Sequence, residues 1–322
     1  KFKASVLGGG LLGLEAANAA KELGMQTDVI EFAPRLMPRQ LDKAASDMLQ
    51  SKIESLGMKI NLGKNSQEIV GENGIEKINF TDETSLNTDM LIISAGIRPR
   101  DELAVISGLK TGERGGVYVD NKMQTSDPAI YAIGEVALYN NGIYGLVAPG
   151  YEMAGVAVDQ IAGGEKLMSP SIDMSTQLKL VGTEVASFGD PFIENDEITA
   201  IVYENKQRGV YKRINIAKDG SRLLGGIMVG DSSDYNTLFQ FYINAMKLPE
   251  NPEDLILGFR GGESKSALGS VLDLPETAQI CSCEAVSKGT ICDSITSGAC
   301  CSFSDVVKST KASSSCGGCK PM

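Results

Sequence analysis

Histidine is absent from all 322 residues. That excludes Ser-His-Asp and Cys-His nucleophile systems, histidine-ligated zinc enzymes and Rieske centres, each of which needs an imidazole. Long apolar runs are missing as well. None reaches the roughly 18 residues that cross a bilayer, and the start, Lys1-Phe2-Lys3, has no signal-peptide architecture. Basic charge is in deficit, 30 Lys and Arg against 41 Asp and Glu for a net charge of −11. This balance argues against sequence-independent nucleic-acid binding and against anchoring on an anionic membrane. Cysteine does not occur before residue 281, and all seven lie at 281, 283, 292, 300, 301, 316 and 319. Disulfides of a secreted protein would be spread to staple the fold. A cytoplasmic chain with a metal or cluster module at its C-terminal end is expected instead.

What is present supports packed cores. Hydrophobic residues make up 42% and charged residues 22%, and the length suits two or more domains at about 150 residues each. Ala4 to Gly10 read as a short buried strand entering a glycine turn. Leu11 to Leu23 are rich in helix formers, Gly24 stops that helix, and Gln26 to Phe32 form a second strand. This is a β-α-β unit of the size of a parallel crossover. A helix is expected over 40–56, a strand over 58–62, a hairpin or meander over 66–81, and a buried parallel strand from Met90 to Ser94. Further on, the pattern predicts a strand at 129–133 and a helix over 150–163 with Pro149 at its first position. Residues 175–230 are strand-rich, Tyr235 to Ala245 are helical, and 258–275 form the linker.

Three motifs carry chemistry. In Gly8-x-Gly10-x-x-Gly13, Gly8 permits the tight turn, Gly10 the approach of a pyrophosphate, and Gly13 close packing of helix on strand. The acid Glu31 follows Gly13 by 18 residues, at the end of the second strand, and can accept from both adenine-ribose hydroxyls. The alternative is a strand–turn–helix whose glycines serve packing alone. A carboxylate at Glu31 repels a 2′-phosphate and favours NADH over NADPH; Arg35 either softens that preference or is a solvated surface cation. The second motif runs from Thr125 to Glu135 and ends in Ile133-Gly134-Glu135. The third pairs Cys281-x-Cys283 with Cys316-Gly317-Gly318-Cys319, and four thiolates so spaced ligate a tetrahedral zinc or a [2Fe–2S] cluster. Gly317 and Gly318, which let N–H groups approach sulfur, favour the cluster. Cys292, Cys300 and Cys301 lie outside this pattern and read as small apolar residues or spare thiols.

The second motif resembles the second FAD-binding segment of two-dinucleotide-domain flavoprotein reductases, most of which have aspartate where Glu135 stands. In the same family the turn Ser94-Ala95-Gly96 returns the chain from the NAD domain to the FAD domain, and the helix after Pro149 points its N–H groups at the flavin. Ile280 to Cys292 with Ser313 to Pro321 is similar to the bacterioferritin-associated-ferredoxin-like [2Fe–2S] domain. Together with Glu31–Asp42 and Tyr144–Ala154, these stretches resemble the large subunit of assimilatory NAD(P)H-dependent nitrite reductases over essentially the whole chain.

The resemblance implies an α/β architecture. Its parts are a Rossmann-like NAD-binding domain (1–97), the C-terminal part of a FAD-binding domain (98–168), an α+β interface domain (169–257), the linker, and a small helical Cys-rich [2Fe–2S] domain (276–322). It implies NADH (or NADPH), FAD and a [2Fe–2S] cluster, with sirohaem and a [4Fe–4S] cluster in a C-terminal module not present here. It places Glu15 at the nicotinamide, where the alternative is a helix-surface glutamate favoured by the helix dipole. Gly96, Gly134 and Glu135 fall at the flavin. The expected partners are NAD(P)H and a sirohaem domain or other electron acceptor, and a homodimer is left open. Without the first FAD-binding half, weak or no FAD retention is expected. Two rivals are a stand-alone NADH-dependent ferredoxin- or rubredoxin-type reductase serving nitrate reductase and a non-catalytic metal-binding adaptor.

Overall fold

The computed structural model describes residues 2–193, 195–257, 274–281, 284, 286–298, 300–314 and 319–320. The chain divides into two compact units, one made of residues 1–95 with 175–322, the other of 96–174.

In the first unit the β-α-β reading becomes strand β1 (Lys3–Leu7), helix α1 (Leu11–Glu22) and strand β2 (Gln26–Glu31), followed by α2 (Lys43–Ser55) and β3 (Lys59–Leu62). Gly13, Leu14, Ala17 and Ala20 form the buried stripe of α1, at helical spacing. The small residues among them let the helix sit close to the sheet. Gly24 follows with φ +85, a left-handed stop that costs glycine nothing. The α2 helix starts at Asp42, whose side chain accepts the Ala45 N–H at 2.9 Å, so it begins three residues later than its composition predicts. A meander of β4 (Ser66–Val70), β5 (Lys77–Phe80) and β6 (Ser85–Asn87) covers Ile30 with Ile78 and Phe80.

The run beginning at Met90 forms β7 (Met90–Ile93), parallel to β1. The sheet order is β3-β2-β1-β7, so β7 is an edge strand and not the buried one expected. Ile93 is 65% exposed. An unbroken apolar run shows that both faces suit apolar contacts, but nothing in it states whether a neighbour lies beyond the edge.

The strand-rich stretch is a five-stranded antiparallel sheet in the order β10-β11-β14-β13-β12. Its strands are β10 (Thr176–Leu180), β11 (Thr183–Gly189), β12 (Ile198–Asn205), β13 (Val210–Ala217) and β14 (Leu223–Val229). Period-two alternation gives this sheet two working faces. Val185, Tyr211, Ile227 and Val229 share a core with Leu14, Leu36, Leu41 and Leu49 of the nucleotide-type half. Their odd-even neighbours Ala186, Ile214 and Met228 pack instead with helix α5 (Tyr235–Ile243) and with Leu255 and Ile256 of α6 (Asp254–Leu257). The expected helix over 235–245 is α5.

On the α5 side of β13, Lys212 is buried and donates to Asp231 at 2.8 Å and Asp234 at 2.6 Å. Burial alone would lower the Lys212 ammonium, but the two carboxylates outweigh it and hold it above its ordinary value. Burial likewise raises the Asp231 carboxyl, yet hydrogen bonds from Lys212 and Ser233 bring it down to about 2. A carboxyl lowered in the folded state contributes stability above its unfolded value of 3.8, and that contribution is lost as pH falls toward about 2. Chemical denaturation at a series of acid pH values is expected to show this slope in the native chain. A Lys212→Met variant should lose most of it.

In the second unit, residues 129–133 form no strand. Gln124 and Tyr131 make an isolated bridge, and the chain then enters a 3₁₀ turn at Gly134–Val136. The pairing stops at this one bridge: the Ile130 carbonyl accepts the Thr125 N–H and the Ala132 N–H donates to the Met123 carbonyl, while the Ile130 N–H turns back to the Asp127 carbonyl. A short parallel pair, β8 (Val117–Tyr118) with β9 (Ala137–Leu138), is what the unit retains of a sheet. Helix α3 (Glu102–Ile106) and helix α4 (Val147–Ile161) complete it. Pro149 is the third residue of α4, not the first, which is tolerated because N–H groups of the first turn have no intrahelical acceptor. Met153, Val156 and Ala157 of α4 close a core with Val117, Met123, Ala137 and Tyr139.

The cysteine-rich segment has a small hairpin, β15 (Gln279–Cys281) with β16 (Val286–Ser287), and two helices, α7 (Lys288–Thr296) and α8 (Phe303–Thr310). Ser287 and Ser302 cap them through their hydroxyls. Most of the expected linker, 258–273, lies outside the described residues, and its described end is not a loose tether. Leu274 is buried with Ala278 and Ile280. No described helix is long and apolar enough to cross a membrane.

Candidate functional site

The turn between β1 and α1 shows why each glycine stands where it does. Gly8 has φ +121, and a Cβ there would lie 2.1 Å from the Ser94 carbonyl oxygen at the end of β7. A Cβ on Gly13 would lie 2.0 Å from the Gly8 carbonyl oxygen, so this glycine sets how closely α1 meets the turn. Gly10 is different. It is the N-cap of α1, has an ordinary φ of −83°, and a Cβ there would meet nothing within 4 Å. No side chain caps the helix at this end. Open space beside free first-turn N–H groups, at the positive end of a helix dipole, is suited to a pyrophosphate.

Glu31 stands at the rim of that space. Its carboxylate accepts the Gly9 N–H at 2.6 Å and the Ala33 N–H at 2.7 Å. A carboxylate offers about four acceptor positions, so capacity is left for ribose hydroxyls. Gly9, which the spacing rule ignores, is thereby tied to the acid, and its carbonyl accepts the Met37 N–H at 3.0 Å. Arg35 fits neither expectation. It is half-buried, and its guanidinium donates to the Leu41 carbonyl at 3.0 Å and the Pro38 carbonyl at 3.1 Å. It fastens its own loop. Glu15 is exposed on α1, with no hydrogen bond or ion pair among the described residues.

The second unit holds the other predicted positions. Gly96 has φ +100 and Gly134 φ +72, both left-handed conformations that favour glycine. The Gly134 N–H faces the Met153 sulfur at 3.3 Å, a contact the sequence did not announce. Glu135 is exposed, and a Cβ on Gly145 would come within 3.4 Å of its carboxylate. Helix α4 opens at Leu146 without a side-chain cap, which leaves its first N–H groups for solvent or a ligand.

Of the four predicted metal ligands, Cys283 and Cys316 lie outside the described residues. Cys281 is buried in one apolar cluster with Val286 and Ala312, and Cys319 packs against that same cluster. The remaining thiols sit in other surroundings. Cys300 is buried with its sulfur 2.8 Å from the Ser294 hydroxyl, Cys292 is half-buried and Cys301 exposed. The two described members of the predicted set thus lie against one apolar cluster.

With this geometry in place, three family matches divide the chain. Residues 2–160 match Pyridine nucleotide-disulphide oxidoreductase, residues 175–244 the Rubredoxin NAD+ reductase C-terminal domain, and residues 279–322 the BFD-like [2Fe-2S] binding domain. Residues 2–160, just under half of the chain, thus form a pyridine nucleotide-disulphide oxidoreductase domain. The chain is 50% identical over 318 residues to the "Nitrite reductase [NAD(P)H] large subunit" of Klebsiella oxytoca, across 98% of this chain and 33% of that protein. It is 36% identical to the "Assimilatory nitrate reductase electron transfer subunit" of Bacillus subtilis, across 99% of this chain and 40% of that protein. Among solved structures, a FAD-dependent pyridine nucleotide-disulphide oxidoreductase from Desulfovibrio vulgaris superposes with a TM-score of 0.63 at 25% identity, covering 74% of this chain and 62% of that one. The chain therefore spans two fifths or less of the length of these two curated relatives.

The described residues fit the groups these domain matches imply. The Gly10 space and Glu31 suit an adenosine diphosphate moiety, and the left-handed Gly134 beside the free Glu135 carboxylate suits a ribityl hydroxyl. Two thiols packed against one apolar cluster are the donor type that holds an iron–sulfur cluster.

Proposed function

We propose that this oxidoreductase forms the electron-entry part of an NAD(P)H-dependent nitrite reductase, taking hydride from NADH and delivering single electrons toward a sirohaem site. FAD, when bound, supplies the conversion from a two-electron to a one-electron donor, and a [2Fe–2S] cluster supplies the one-electron carrier. The observation that carries this reading is the β1–α1 turn. Two of its glycines are closed by backbone, and the third leaves open space at a helix N-terminus with an acid on its rim.

Each predicted residue then has a task. Gly8 and Gly13 shape the turn, Gly10 admits the pyrophosphate, and Glu31 accepts from the adenine ribose. Because Arg35 is spent on the Pro38 and Leu41 carbonyls, nothing from that side chain offsets the repulsion between Glu31 and a 2′-phosphate, so NADH is the preferred donor. Glu15, exposed and uncommitted on α1, orients the carboxamide. Gly96 returns the chain toward the flavin, and Gly134 with Glu135 holds the ribityl chain. Cys281, Cys283, Cys316 and Cys319 ligate the cluster. We assign residues 1–97 to NAD, 98–168 to part of the FAD domain, 169–257 to the interface domain and 276–322 to the cluster domain. Confinement of every cysteine to one short segment supports a cytoplasmic location.

The similarity to a nitrate reductase electron transfer subunit favours one second reading, a reductase whose acceptor is another protein. Sirohaem content of the full-length protein separates the two. Iron and acid-labile sulfide analysis tests the part common to both. Stoichiometric iron and sulfide are expected, and one zinc with no sulfide would overturn the cluster assignment.

A further inference from the structure

The loop that follows Glu31 is held from a distance. Its Met37 is buried with φ +45 and donates its N–H to the Gly9 carbonyl at 3.0 Å, while its own carbonyl accepts the Gln40 and Leu41 N–H groups at 3.0 and 2.9 Å. The Leu36 N–H donates to the Ser46 hydroxyl of α2 at 2.9 Å. The loop ends at Asp42, which uses its two oxygens differently. One accepts the Ala45 N–H and caps α2. The other accepts the Tyr211 hydroxyl at 2.6 Å and Arg213 Nη1 at 3.2 Å, both from β13 of the antiparallel sheet. Arg213 is oriented in turn by its Nε, which donates to the Asn215 side chain at 3.1 Å.

This junction is shielded. Tyr211 is 2% exposed, and the Asp42 and Arg213 side chains are 14% and 10% exposed, so water competes little for their hydrogen bonds. Leu36, Met37 and Leu41 of the loop share one core with Tyr211, Ile227 and Val229 of the sheet. A series of backbone and side-chain hydrogen bonds, joined by the Leu41–Asp42 peptide link, therefore runs from Gly9, beside the Gly10 space, to β13, which lies 169 residues from Asp42 at Tyr211. A chain of this kind transmits position only if both of its ends are fixed, and Asp42 is the point of fixation.

We propose that Tyr211 and Arg213 are positioning residues for dinucleotide binding. Through Asp42 they hold the Glu31–Asp42 loop, and with it Gly9 and Glu31, in the arrangement that accepts the adenosine end of NADH. This inference rests on the proposed use of the β1–α1 turn for NADH. It adds that the affinity of that site is set in part from the antiparallel sheet, which contributes no residue to the turn.

The test uses the full chain and four variants. Tyr211→Phe removes one hydrogen bond to Asp42. Asp42→Asn keeps an oxygen to cap α2 while removing the charge that Arg213 and Tyr211 share. Each is expected to raise the Kd for NADH about three- to tenfold, the range for one lost shielded hydrogen bond. The double variant should be no worse than the weaker single one, because both remove the same link. Val185→Ala opens the same core without touching this series, so it should lower Tm and leave the Kd for NADH within about twofold. Amide exchange at Gly9 and Met37 gives a readout independent of ligand, and it should accelerate in Tyr211→Phe and Asp42→Asn but not in Val185→Ala. Unchanged Kd and unchanged exchange in the first two would overturn the inference, as would an equal loss of NADH binding in Val185→Ala. If the native chain binds no NADH, the functional reading fails, while the exchange data still decide whether β13 holds the loop.

Discussion

Gly10→Ala is expected to fold as the native chain does and to bind NADH at least about tenfold more weakly. The added methyl meets no protein atom within 4 Å, and φ −83° with ψ −177° is open to any residue. The poorer N-cap costs about 1 kcal/mol and the stiffer unfolded chain returns about 0.4–1 kcal/mol, so stability should hardly move. What the methyl does occupy is the space at the helix N-terminus. Gly13→Ala behaves in the opposite way. Its methyl would lie 2.0 Å from the Gly8 carbonyl oxygen, so α1 must shift off the turn. A loss of about 1–3 kcal/mol in stability is expected together with lost binding. Denaturant titration and NADH fluorescence on the two variants separate a ligand-facing glycine from a packing one. If Gly10→Ala binds NADH normally, the space beside it is not where the pyrophosphate lies.

Cys281→Ser and Cys319→Ser are expected to lose iron and acid-labile sulfide almost completely, whereas Cys301→Ser keeps both. Cys281 and Cys319 share the cluster built by Val286, Ala312 and Ile291, and Cys301 is exposed elsewhere in the segment. A cluster binds to thiolates and contributes its binding energy to folding, so a missing ligand should also unravel the β15–β16 and α7–α8 segment. Amide exchange and visible absorbance check the two effects together. Retention of iron and sulfide in Cys281→Ser would reassign the ligand set to other thiols, with Cys292 and Cys300 next to be examined.

Much of the first unit was legible because local rules sufficed. Apolar strands, an Ala-rich helix stopped by Gly24, and the glycine spacing at 8, 10 and 13 all act over a few residues. The edge position of β7 and the missing strand at 129–133 were not legible, since both depend on what lies beside a segment and not on its own pattern. Arg35 illustrates a further limit. Its position after the acid suggests a role toward a phosphate, and only the fold of the loop reveals that Pro38 and Leu41 carbonyls have claimed it. The Asp42–Tyr211–Arg213 junction joins residues 169 and 171 positions apart, for which one sequence carries no signal.

Anaerobic titration of the full-length protein with NADH, followed by the visible absorbance and electron paramagnetic resonance of the cluster, tests the central claim most directly. The account predicts that NADH alone bleaches the cluster absorbance and produces the resonance of a reduced [2Fe–2S] centre. A cluster that dithionite reduces but NADH leaves oxidised would contradict it.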